Sequence, residues 1–146
     1  MYTLNVEHRA LKDKSTMATN IAHHIQEYQV YGRVAVISNR PHELLKEIKQ
    51  AWANLEKETR DEIEQTPNQS RKTRLINLLA YMPECSFTDR PPIEDSFEKV
   101  QVATIEQFIE WPPQCQTMFV TYSVEKAQLY QAASWMPRYG LVVIYD

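Results

Sequence analysis

The chain has 146 residues, 43% of them apolar and 24% charged, and a net charge of −3. That is the length of one ordinary domain and the composition of a globular protein, so a single domain over residues 1–146 is expected. No apolar run reaches the roughly 18 to 20 residues of a membrane span, and the first residues lack the apolar core of a secretion signal. These features predict a cytoplasmic protein without a membrane partner.

Two further counts exclude more. Average usage would give roughly ten glycines in a chain of this length, but there are two, Gly32 and Gly140. No glycine-rich phosphate loop can be written with them, so intact Rossmann and P-loop fingerprints are absent. The two cysteines, Cys85 and Cys115, stand far apart without CxxC spacing or a nearby histidine. They make no zinc site and read as two separate thiols, with a single bridge left open.

In chain order, YTLNVEH (2–8) alternates and is read as a first strand. Ser15 or Thr16 then caps a helix through its hydroxyl. Met17, Ala18, Ile21, Ala22, Ile25 and Tyr28 recur at three- and four-residue spacing and form its apolar face, and Gly32 follows its end. RVAVIS (33–38) is short, β-branched and apolar, as an interior strand should be. Asn39 as cap and Pro41 in the first turn start the longest helix, with a stripe of Leu44, Leu45, Ile48, Ala51, Trp52 and Leu55. Beyond Leu55 that helix is mostly charged and is expected to project into solvent. Ser70 caps a third helix that buries Leu75, Ile76, Leu78, Leu79 and Met82.

Residues 83–98 are a long loop rich in proline. KVQVATI (99–105) resumes strand character, EQFIEW is a short helix stopped by Pro112 and Pro113, and TMFVTYS (117–123) is the next strand. Ser123 caps a helix running to Trp135, and GLVVIYD (140–146) is a last strand, apolar enough to be central. Alternating strands and helices predict an α/β fold: a three-layer α/β/α, Rossmann-like domain around a mostly parallel sheet of about five strands.

This element order resembles the RecA-like core of P-loop NTPases and helicases over nearly the whole chain. DKSTMATNIA looks like the Lys-Ser/Thr start of the phosphate-binding helix, VQVATIEQF like a later helicase strand with its threonine, and GLVVIYD like an apolar strand ending in a metal-ligating aspartate. The resemblance implies that Lys14 contacts phosphate, Ser15 the magnesium, and Asp146 the magnesium through water. His8 and Asp13 stand where the family pattern has glycine. A carboxylate at 13 would repel phosphate, so the implied loop is degenerate.

Other constellations are sparse. His23 and His24 are adjacent on a helix and diverge by about 100°, which suits one edge and one surface histidine better than a metal pair. Arg71, Lys72 and Arg74 fall in a helix's first turn, against its dipole, and form a candidate anion or nucleic-acid contact. Glu98 and Lys99 are adjacent, so the Glu-x-Lys spacing of a metal-dependent nuclease fails, and no Gly-x-Ser-x-Gly elbow occurs. Aromatics crowd the last third, and Trp111, Trp135 and Tyr139, beside prolines, are candidates for a partner surface. The first expectation is therefore a non-catalytic accessory or regulatory protein acting through protein contacts and needing no cofactor or metal. The second is a degenerate nucleotide or phosphate binder using Mg-ATP, and the third is a nucleic-acid binder using its local basic patch. Homo-oligomerisation is left open.

Overall fold

In the computed structural model, residues 4–11, 13, 16–28, 32–91 and 99–145 are described. The elements run β1 (Asn5–Arg9), α1 (Met17–Tyr28), β2 (Val34–Ile37), α2 (Pro41–Gln65), α3 (Gln69–Tyr81), β3 (Phe87–Thr88), β4 (Val100–Ala103), α4 (Ile105–Glu110), β5 (Thr117–Val120), α5 (Lys126–Ala132) and β6 (Leu141–Tyr145). All pairings are parallel, and the six strands form one sheet in the order β1-β6-β5-β2-β4-β3.

The sheet has six strands where about five were expected, because β3 lies inside the proline-rich segment read as loop. Two residues are too few to show alternation, and only the pairing of Phe87 and Thr88 with Val100 and Gln101 reveals a strand. The β6 strand, expected near the centre, is second from an edge, with β1 outside it.

Strand alternation assigns the two faces. Val34, Val36, Val100, Val102, Phe119 and Val143 point to the layer formed by α1 and α2, which contributes Ile21, Ile25, Leu45, Ile48 and Trp52. Ala35, Ile37, Ala103, Met118, Val120 and Val142 point the other way, to α4 and α5 with Phe108, Leu129 and Ala132. Each large apolar side chain buried in this way contributes roughly 1.5–3 kcal/mol. Cys85 belongs to the first face and Cys115 is buried in the second, and both are free thiols.

Local chemistry explains most boundaries. Pro41 opens α2, where its missing N–H costs nothing. The N-cap is Arg40 rather than Asn39, and the Ser38 hydroxyl accepts from the Arg40 backbone N–H at 2.9 Å. Asn68, not Ser70, caps α3 by accepting from the Arg71 N–H at 3.1 Å. Thr104 and Gln107 form a reciprocal capping box on α4. The fifth helix starts at Lys126 with Glu125 as cap, later than Ser123 would place it. The charged half of α2 packs against α3, which buries Leu75 but leaves Ile76 exposed. A buried polar tie closes this corner: the Gln26 amide donates to the Thr59 hydroxyl at 2.9 Å, and that hydroxyl donates to the Leu55 carbonyl at 2.7 Å.

Because the strands are parallel, every helix-to-strand connection arrives at one edge of the sheet, where strands begin. That edge carries Tyr28 at the end of α1, Gly32, Trp111, Gln116, Trp135 and Tyr139.

Candidate functional site

A polar cluster sits between β1 and α1 in an otherwise apolar layer. Glu7 and Arg9 are two residues apart, so they share the α1 face of β1, and the register sets Arg9 beside Tyr145 on β6. Asn20 and His24, four apart, share the facing side of α1. The Arg9 guanidinium donates to Glu7 Oε2 at 3.1 Å and to Asn20 Oδ1 at 3.0 Å, and lies 3.3 Å from His24 Nδ1. The Tyr145 hydroxyl donates to the same Asn20 oxygen at 2.6 Å. His24 lies 4.7 Å from the Tyr28 ring at a 40° tilt and meets Phe119 edge-on.

The electrostatics follow from burial. Burial and the Arg9 charge lower the His24 pKa to about 4, with Glu7 opposing. A guanidinium can only donate, so His24 Nδ1 is the acceptor and the neutral ring carries its proton on Nε2. Burial pushes the Tyr145 phenol up to about 12 against the pull of Arg9. Burial also opposes the charge on Arg9, but Glu7 and Tyr145 outweigh it and raise its pKa. Near neutral pH the cluster is thus one ion pair, a neutral imidazole and a neutral phenol.

Below the cluster a cleft of about 680 Å³ runs toward the strand-start edge, past Tyr28, Gly32, Gln116, Thr117, Tyr139 and Leu141. Both glycines belong to this region. Gly32 has φ of 112°, which favours glycine, and a Cβ there would come within 2.6 Å of the Gln116 side chain. Gly140 sits between Tyr139 and Leu141, and its carbonyl accepts from the Asn5 amide at 3.2 Å. The arrangement can bind and orient a ligand. Burial holds His24 below, and Tyr145 above, the near-neutral range in which a general acid or base works best.

Of the residues singled out in the sequence, His24 belongs to this cluster and Tyr139 lines the cleft, and the others fall elsewhere. Lys14, Ser15 and Asp146 lie outside the described residues. Beside them, Thr16 turns its N–H and hydroxyl back onto the Asp13 carbonyl, at 3.0 and 2.7 Å. Arg71, Lys72 and Arg74 occupy the start of α3, where Arg71 grips one Glu62 oxygen through two nitrogens and Arg74 pairs with Glu27. Arg9 does not join that patch but turns inward to Glu7, Asn20 and His24. Trp111, Trp135 and Tyr139 are 40%, 61% and 74% exposed at the strand-start edge, joined there by Tyr28. His23 is exposed and His24 buried, and no group of three metal-ligating side chains occurs among the described residues. Burial pushes the Cys85 thiol up to about 11 and the Cys115 thiol up to about 12. No helix among the described residues is long and apolar enough to cross a membrane.

Sequence reasoning missed the β1–α1 cluster and the cleft. The available signal was the same-face spacing of Glu7 with Arg9 and of Asn20 with His24, which needed the β1–β6 register to become a site. No family model matches the chain, and no curated protein matches it at a significant level.

Proposed function

We propose that the chain is a non-catalytic α/β module that acts through protein contacts, and that its contact surface is the strand-start edge. One observation carries this reading: Tyr28, Trp111, Trp135 and Tyr139, all at least 40% exposed, stand at helix-to-strand connections of one parallel sheet. Tryptophan and tyrosine dominate the energetic centres of protein interfaces, because each covers a large apolar area with few rotatable bonds. Burial keeps the Tyr145 phenol and the Cys85 and Cys115 thiols protonated near neutral pH, which suits a binding role.

The test is capture of a partner from a native extract of the source cells by immobilised protein. Replacing Trp111 and Trp135 together by serine should abolish capture, and replacing Arg71 and Lys72 by alanine should leave it intact. The reverse pattern, or a salt-dependent DNA complex lost in the basic variant, would favour the nucleic-acid reading. Mg-ATP tests the remaining alternative at Lys14, Ser15 and Asp146. Ligand at 100 times its Kd adds about 2.7 kcal/mol of stability, and such a gain lost in Lys14→Ala would overturn the proposal.

A further inference from the structure

We propose that the cleft between α1, β1 and the start of β6 binds a neutral heteroaromatic molecule of the nucleobase or nucleoside kind, held between tyrosine rings and read by Gln116 and Glu7. This site is separate from the Lys14–Ser15 helix start and goes beyond the protein-contact reading.

Three features define the ligand. The first is shape. Tyr28 from α1 and Tyr139 from the α5–β6 connection reach the same cleft, and both are exposed, Tyr139 at 74%. Aromatic faces on separate elements suit a flat ring system, because every nucleobase has a π-face to stack. The volume of about 680 Å³ lies within the range of small-molecule sites.

The second is the pattern of polar groups. The Gln116 amide offers both donors and an acceptor, as the edge of a base does, and the Glu7 carboxylate only accepts. Gln116 lies against Gly32, at a spot that any other residue would fill with its Cβ. A chain with two glycines uses one to make room for this amide. The other precedes Leu141, between two lining residues.

The third is charge. Arg9 is neutralised by Glu7 at 3.1 Å, and His24 is uncharged near neutral pH. With no net charge, the cleft gives no reason to hold a phosphate or a carboxylate, and a neutral ring with donors and acceptors on its edge is the matching chemistry.

The experiment is a titration of the full chain with adenosine, guanosine, cytidine, uridine and adenosine monophosphate, followed by calorimetry and by backbone amide shifts. At least one nucleoside should bind and shift the amides of Glu7, Gly32, Gln116 and Leu141. Tyr139→Ser should weaken it by about tenfold, the loss of one stacked aromatic, and Gln116→Ala by a similar factor, the loss of a hydrogen-bonding amide. Trp135→Ser, outside the cleft, should leave it unchanged. The monophosphate should bind no more tightly than adenosine. The inference is overturned if no nucleoside binds up to millimolar concentration, if binding survives Tyr139→Ser and Gln116→Ala, or if only the monophosphate binds. The titration needs no protein partner, and partner capture reads Trp111 and Trp135, so the two proposals fail separately.

Discussion

The two flanks of α1 pack against the same sheet in opposite ways. On one, Ile21 and Ile25 are sealed among Val36, Ile48 and Phe119, with the buried Gln26 amide donating to Thr59 and to the Met82 sulfur. On the other, Asn20 and His24 face Glu7 and Arg9 of an edge strand whose residues are largely exposed. The apolar flank draws its stability from area removed from water and tolerates no opening. The polar flank is held by hydrogen bonds between groups that water also solvates, so each bond contributes little net stability. A helix can thus be anchored along one side and keep a ligand-sized cleft along the other.

Phe119 is where the comparison is easiest to break, because its ring meets His24 edge-on and stacks on Tyr145 while lying in the apolar core. Phe119→Ala should cost roughly 3–5 kcal/mol, read from urea unfolding. A loss under 1 kcal/mol would mean that the apolar flank does not anchor α1.

Acid should act on the polar flank alone. His24 titrates at about 4 in the folded chain against 6.5 for the free side chain. Between those values the unfolded chain binds the extra proton, so stability falls as pH drops from 6.5 to 4 and levels off below. The loss is on the order of 2–3 kcal/mol relative to His24→Leu, measured as the difference between two pH-dependent unfolding series. Parallel series would show that His24 is not held neutral by its surroundings.

At the far end of α1, the Glu27–Arg74 pair is about half exposed on both sides. Arg74→Gln should shift stability by less than about 1 kcal/mol, and less again in high salt. A thermal-unfolding loss well above that would make this pair, rather than the apolar stripe, the tie between α1 and α3.

How legible each element was depended on how local its signal is. RVAVIS, TMFVTYS and GLVVIYD are apolar runs that only a strand buried on both faces requires, and they became β2, β5 and β6. Pro41 and the leucine stripe marked α2. The third helix was read too generously: its apolar positions suit a helix covered on a broad face, but it leans on the outer part of α2, so Ile76 stays exposed. The candidate site was the least legible part. Glu7, His24 and Gln116 are far apart in sequence, and the chemistry of each depends on its neighbours in space.

The sequence by itself determined the α/β class, because hydrophobic periodicity is a property of ten or so consecutive residues. Only the tertiary structure decided strand order, the sixth strand, and the burial that neutralises His24 beside an Arg9–Glu7 pair. Those follow from which strand lies beside which, and the parallel pairing of Arg9 with Tyr145 joins residues at opposite ends of the chain.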